Sequence, residues 1–223
     1  MFATIADRYD LITILLSYGR DRRWKARLAD LARVTRGERA LDLACGTGDI
    51  AALISERGAR VIGLDVTPRM IELAVQKTSG PALKQASGRC SFVIGDMMAL
   101  PFPDRSFDLV TIGYGLRNVP ALGGAICEIR RVLRPGGRIW SLDFNRPASI
   151  VVRVLYLGYL TVVGALLGYV LHRDGDTYRY IPESIRRYPG ADAVARMMRS
   201  AGFIEAGYVP LLGGLMALNH AKK

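Results

Sequence analysis

The stretch LDLACGTGDIA, Leu41 to Ala51, carries an apolar strand pattern straight into a glycine turn. Within it, Gly46-Thr47-Gly48-Asp49-Ile50-Ala51 has the Gly-x-Gly-x-x-Ala spacing that lets a backbone approach a nucleotide at the start of a helix. On spacing alone the turn suits NAD. Asp65 also ends the next strand, RVIGLD, where a ribose-binding acid belongs. Charge discriminates better than spacing. A pyrophosphate at a helix N-terminus wants hydrogen-bond donors and no competing anion. Here Asp42 precedes the turn and Asp49 follows its second glycine.

Such acids fit S-adenosylmethionine, which has no phosphate and carries an ammonium and a sulfonium. The other acids agree with that cofactor. Asp65, with Val66 beside it, can accept from both ribose hydroxyls, and Asp96, just past the third strand, can accept from an adenine amino group. Met97 can pack on the adenine ring, and Tyr114 ends the fourth strand in the same crevice. Asp42, Gly46, Thr47, Gly48, Asp65, Val66, Asp96, Met97 and Tyr114 are therefore the candidate cofactor residues. Blander roles compete for some of them: Asp49 as a helix-cap acid, Asp42 as a tie for the loop backbone, Met97 and Met98 as core. Cys45 reads as a small apolar filler.

Outward from the turn, short apolar strands are expected at 39–44, 60–65, 91–95, 107–113 and 137–142. Helical stretches lie between them at about 49–57, 67–78 and 121–133. Strands alternating with helices imply right-handed βαβ units and a parallel sheet. Residues 4–34 read as two helices broken at Ser17–Gly19, and Pro135-Gly136-Gly137 stops the helix before the fifth strand. A last helix at about 190–201 leads to strands at 203–209 and 214–219, with Gly213-Gly214 as a hairpin turn between them.

At 223 residues the chain suits one domain, 1–223, with N-terminal helices over 1–36 and an apolar insertion over about 147–180. Thirty-one Lys+Arg against 20 Asp+Glu give +11, which suits an anionic partner, either a lipid surface or a nucleic acid. Cys45, Cys90 and Cys127 lack metal spacing and are odd in number, which points to a reducing compartment. None has the Pro-Cys or Thr-Cys context expected of a nucleophile in RNA cytosine methylation. The fourth strand lacks the Asp/Asn-Pro-Pro-Tyr/Phe motif of nucleic-acid amino methylases, so no nucleic-acid partner is expected. The first residues, MFATIADRYD, do not form a charged-then-apolar signal peptide, and a cytoplasmic enzyme is expected.

Four stretches occur in the order seen in one family: IADRYD…LLSYGRDRRWK, GDMMALPFPDRSFDLVTIGYGLRNV, RRVLRPGGRIWSLDFNRP and DTYRYIPESIRRYPG…GGLMALNHAKK. Over nearly its whole length the chain resembles the ubiquinone/menaquinone biosynthesis C-methyltransferases. The resemblance implies a class I methyltransferase fold, Rossmann-like, with a mostly parallel seven-stranded sheet and a C-terminal antiparallel hairpin. It implies S-adenosylmethionine-dependent C-methylation of a prenylated quinol, with demethylmenaquinol favoured. The alternatives are another lipid or small phenol as acceptor and, further off, RNA.

By resemblance Arg117 and Asn118 face the acceptor ring, Arg117 stabilising a phenolate or orienting a water. Tyr178 is a candidate beside them, with Tyr9 and Tyr180 weaker. The chain departs from the family pattern at Ile12-Thr13, at Asp21, where a histidine is usual, and at Asp143-Phe144-Asn145, where Glu-x-Ser is common.

Residues 154–171, VLYLGYLTVVGALLGYVL, run without a charge. As one helix they span ~27 Å, close to a hydrocarbon core of about 30 Å. A crossing would strand the last helix and strands on the wrong side of the bilayer. The stretch is therefore expected to lie in the inner membrane face as a bent helix or helical hairpin, with Arg153, Arg173, Arg186 and Arg187 near headgroups. A homodimer interface is the alternative, and Gly164 and Gly168 have the small-xxx-small spacing of helix pairs.

Overall fold

The computed structural model describes Ala6 and residues 9–17, 19–78 and 90–223. Helices α1 (Tyr9–Leu16) and α2 (Asp21–Leu31) come first. Five strands with three helices between them follow: β1 (Arg39–Leu43), α3 (Asp49–Glu56), β2 (Arg60–Asp65), α4 (Pro68–Thr78), β3 (Cys90–Ile94), β4 (Phe107–Gly113), α5 (Leu122–Val132) and β5 (Leu133–Phe144). A 3₁₀ turn, Leu116–Asn118, sits between β4 and α5. Then come α6 (Ile150–His172), α7 (Tyr180–Arg187), α8 (Ala191–Ser200), β6 (Ile204–Leu211) and β7 (Met216–Lys222).

The seven strands form one sheet in the order β3-β2-β1-β4-β5-β7-β6. The pairs from β3 through β5 are parallel, and β7 runs antiparallel between β5 and β6. Helices cover both faces, so the central strands are buried throughout: Ala40 to Leu43 and Leu109 to Ile112 are apolar apart from Asp42 and Thr111, and all are buried. Because β1 lies between β2 and β4, the winding reverses there. A ligand crevice opens outside the carboxyl ends of strands at such a switch point.

Two expected boundaries moved. The helix before β5 stops at Val132, and β5 starts at Leu133 rather than 137. Phe107 pairs Leu133 and Leu109 pairs Arg138, so the Pro135-Gly136-Gly137 turn is looped out as a bulge inside one strand. Pro135 has no amide hydrogen to give the ladder, and Gly136 takes a left-handed φ of 78°.

The apolar insertion is one uninterrupted helix of 23 residues, not a hairpin. It is ~35 Å long at 1.5 Å per residue. Ser149 Oγ caps its start by accepting the Val152 N–H, and a left-handed Arg173 closes its end. A narrow stripe with Leu157 and Leu160 packs with Ile12, Leu16, Tyr178, Ile181 and Ile185, but only 17% of the helix's apolar length is buried.

The helix meets the composition and length of a membrane span, yet its surroundings forbid a crossing. Just before it, Asn145 donates to Gly214 O and accepts from Ala191 N–H. These bonds join chain from both sides of the helix. Gly164 and Gly168 lie on the buried stripe. A Cβ at Gly168 would strike the Asp174 carbonyl, so the pair serves packing within the chain rather than a second copy.

Candidate active site

A cleft of about 260 Å³ opens at the carboxyl ends of β1, β2, β3 and β4. Its walls include Gly46, Asp65, Val66, Asp96, Met97, Tyr114 and Asn118. Seven residues singled out from sequence therefore meet in one place. The backbone makes room for this. Gly46 and Gly48 take left-handed φ values of 53° and 84°, and so do two residues with side chains, Ala44 at 48° and Tyr114 at 60°. Left-handed backbone costs a non-glycine residue energy, and such strain collects at ligand sites. Ala44 and Tyr114 follow the ends of the two central strands, and both line the cleft.

Asp65 shapes the turn as well as the cleft. Its carboxylate accepts from Gly46 N–H at 3.0 Å and from Thr67 N–H at 2.8 Å. Each carboxylate oxygen has a second lone pair, which leaves capacity for sugar hydroxyls. Asp96 is exposed at the cleft rim, and one of its oxygens accepts the Met98 N–H at 2.8 Å.

Asp42 lies under the glycine turn rather than in the cleft. It shares a small cavity of about 20 Å³ with Lys25, Gly46, Thr47, Asp49 and Tyr114. One of its oxygens accepts from the Thr111 hydroxyl at 2.7 Å. The other is buried with no hydrogen-bond partner among the described residues. Burial pushes the Asp42 carboxyl up to about 7. An orphaned buried carboxylate oxygen beside the turn is what an ammonium group would satisfy, so these residues fit S-adenosylmethionine. Gly48 heads α3 and touches neither cavity wall.

Asp49 is the first-turn acid of α3, and it also carries two ion pairs. Lys25 reaches it at 2.9 Å, and Lys77 pairs with it too. Burial works against the Asp49 charge, but Lys25 and Lys77 outweigh it and hold the carboxyl below its ordinary range. Lys25 also pairs with Asp21 at 2.6 Å, and Asp21 accepts the Tyr114 hydroxyl at 2.7 Å. Asp21 thus anchors a cleft residue. Lys25 and Lys77 carry no spacing cue that singles them out.

On the acceptor side, the structure separates residues that the sequence had grouped. Arg117 is buried. It pairs with Asp143 at 2.6 Å, donates to Tyr114 O at 2.9 Å and to Ser184 Oγ at 3.3 Å, and lies 4.7 Å over the Phe144 ring. Burial raises the Asp143 carboxyl above its ordinary value, and Arg117 opposes that shift. Arg117 lines the neighbouring cavity beside α7 and not the cleft, whereas Asn118 lines both.

Tyr178 is not brought to the site. It is fully buried in the cluster under α6, where an aromatic side chain fills space between α6 and α7. The side chains of Tyr9 and His172 lie outside the described residues. Burial pushes the Cys45 thiol far up, which disfavours its thiolate form.

The fold and this acid-lined crevice define a class I S-adenosylmethionine-dependent methyltransferase. Solved structures agree on the fold. A SAM dependent methyltransferase from Aquifex aeolicus superposes with a TM-score of 0.63 at 15% identity, over 89% of this chain and 88% of its own. A Haemonchus contortus phosphoethanolamine N-methyltransferase 2, solved in complex with S-adenosyl-L-methionine, gives 0.64 at 17% identity over 90% and 52%.

The chain belongs to the ubiE/COQ5 methyltransferase family, whose model matches residues 1–223. It is 41% identical to the demethylmenaquinone methyltransferase of Thermus thermophilus over 98% of each chain. It is also 41% identical to the ubiquinone/menaquinone biosynthesis C-methyltransferase UbiE of Paracoccus denitrificans, over 100% of this chain and 89% of that one. The protein is an S-adenosylmethionine-dependent C-methyltransferase, as its resemblance to the family implied.

Proposed function

We propose that this enzyme methylates a ring carbon of a prenylated quinol in menaquinone/ubiquinone-type biosynthesis, with demethylmenaquinol as the favoured acceptor. One observation carries the reading: 41% identity to a demethylmenaquinone methyltransferase across 98% of both chains. When bound, S-adenosylmethionine supplies an electrophilic methyl on a sulfonium. The protein's own residues orient the partners. Asp65 accepts the ribose hydroxyls, Asp96 the adenine amino group, and the free Asp42 oxygen the ammonium. Met97 packs on the adenine, and Asn118 sits between the two cavities.

A reduced quinol that loses a phenolic proton has an electron-rich ortho carbon able to attack a methyl group directly. No covalent enzyme intermediate is needed, and the catalytic gain comes from alignment and charge. Asp143 pairs with Arg117 and fixes the guanidinium at the edge of the neighbouring cavity.

In the same reading α6 lies in the interface of the membrane's inner leaflet, close to where a prenylated acceptor resides. Val154, Leu155, Val162 and Leu166 are more than 60% exposed along it, with Arg153 and Arg173 at its ends. A bilayer is favoured over a homodimer because Gly164 and Gly168 face inward, and nothing in this reading calls for nucleic acid.

The test is incubation with labelled S-adenosylmethionine and a lipid extract under reducing conditions. Label should enter a prenylated quinone only when reductant is present. Label in RNA instead would overturn the assignment.

A further inference from the structure

Beside the donor cleft, between the 3₁₀ turn and α7, lies a second cavity of about 460 Å³. Asn118, Val119 and Pro120 belong to the walls of both, so one short stretch of backbone separates the two spaces. Methyl transfer needs donor and acceptor in contact, so the acceptor must occupy space that adjoins the cleft. Two other cavities that share wall residues with the cleft hold about 30 Å³ and about 20 Å³, too little for an aromatic ring.

The polar groups of this cavity differ in how far they are already committed. Arg117 is held by Asp143, Tyr114 O and Ser184, and the Ser184 hydroxyl itself donates to Ile181 O at 2.9 Å. Tyr188 is different. It lines the cavity, it is 3% exposed, and its hydroxyl has no hydrogen-bond partner among the described residues. A buried hydroxyl without a partner lowers stability, and a phenylalanine would fill the same space without that cost. The group makes sense when something else supplies its partner. Burial raises the hydroxyl's pKa well above its ordinary value, so it stays neutral and able to donate.

We propose that this cavity receives the acceptor ring and that the Tyr188 hydroxyl is a specificity-determining group, donating a hydrogen bond to one ring oxygen. The inference rests on the quinol reading above. A quinol carries oxygens at opposite ends of its ring, and fixing one of them sets which ring carbon faces the methyl donor. A site built to bond an oxygen also rejects rings that lack it, since the hydroxyl then stays unpaired.

The test uses Tyr188→Phe in the full chain. The acceptor is a short-tailed prenylated naphthoquinol without the ring methyl, kept reduced in detergent. Loss of one neutral hydrogen bond should raise the acceptor KM by roughly five- to tenfold. The Kd of S-adenosylhomocysteine should stay within about twofold, and Tm should hold or rise because an unsatisfied group has gone. An unchanged acceptor KM would show that the hydroxyl is only buried bulk and would overturn the proposal. A fall in Tm together with weaker S-adenosylhomocysteine binding would assign Tyr188 to the fold and overturn it equally. A wild-type enzyme that leaves the naphthoquinol unlabelled refutes the quinol reading itself. That result comes from the parent alone and is distinct from any outcome for the variant.

Discussion

Replacing Asp65 with asparagine keeps the shape of the side chain and removes its charge, so it isolates what the carboxylate does. In the parent, the two oxygens accept from Gly46 N–H at 3.0 Å and Thr67 N–H at 2.8 Å. Asparagine can turn its carbonyl to only one of these amides. Its NH₂ then faces the other, a donor against a donor, in a side chain that is 8% exposed. A hydrogen bond to a charged group is worth about 1.5–3 kcal/mol, and the orphaned amide adds a desolvation penalty of about 1–3 kcal/mol. Stability in urea should therefore fall by roughly 2.5–6 kcal/mol. The same NH₂ displaces one of the two lone-pair sites offered to ribose. Losing one such bond costs about 1.5–3 kcal/mol of donor affinity, or roughly 10- to 150-fold in Kd. Calorimetry with S-adenosylhomocysteine at a temperature where both proteins are folded reads this directly. If Asp65→Asn binds within threefold of the parent, the carboxylate is only a tie for the glycine turn, and the assignment of the cleft to the donor's sugar fails.

Four further outcomes follow from the geometry. Asp143→Leu leaves the Arg117 guanidinium buried without its partner and should cost about 3–5 kcal/mol in urea unfolding, whereas Arg117→Met with Asp143→Leu should recover most of it. Equal losses in the single and double variants would show that the pair's charge is not the cause. The Asp42 carboxyl is raised to about 7 from an unfolded value near 4, so its contribution to stability is complete below about pH 4 and disappears as pH climbs through 7. Asp42→Asn should flatten that decline between about pH 4 and 7, and parallel curves would contradict the burial argument. Gly168→Val places a side chain against the Asp174 carbonyl and should lower stability by about 1–3 kcal/mol, read as a drop in Tm; an unchanged Tm would mean that α6 is not held where it lies. Finally, the parent should float with anionic vesicles in low salt. Leu155→Asp with Val162→Asp, both 69% exposed, should cut partitioning at least about tenfold with Tm unchanged; a parent that stays with the soluble fraction rules out the bilayer reading.

The strand pattern was legible because burial on both faces leaves its mark within five or six consecutive residues. Expected strands at 60–65 and 107–113 coincide with β2 and β4, and the helix ends fall within a residue or two. The bulge in β5 was less visible, since Pro135-Gly136-Gly137 signals a turn whether or not the strand continues across it. In the site, residues at strand ends came together because topology alone places them there: Gly46, Asp65, Asp96 and Tyr114 need no partner to be recognised. What stayed hidden is pairing over distance. Arg117 meets Asp143 from 26 positions away, and Tyr114 meets Asp21 from 93. Neither pair has a spacing rule. Tyr178 lies in the cluster under α6 and not in the cleft, since an aromatic in a distinctive motif packs a core as readily as it touches a ligand.

The choice between a phosphate-bearing and a sulfonium-bearing cofactor becomes sharper once the lysines are placed. From sequence alone, a glycine turn in a chain of net charge +11 could have drawn on basic residues to hold a pyrophosphate. Lys25 and Lys77 do stand at the start of α3, where such a group would sit. Both are already engaged by Asp49, and Lys25 by Asp21 as well. Their charge is thus answered within the protein before any ligand arrives. Around them Asp42, Asp65 and Asp96 form no salt bridge among the described residues, and one Asp42 oxygen has no hydrogen-bond partner among them. A second phosphate oxygen brought here would meet carboxylates and neutralised lysines. A ligand with an ammonium and a sulfonium meets the charge that the turn has left unmatched. The local field is therefore opposite in sign to the chain's net charge, and it is the local field that selects the cofactor.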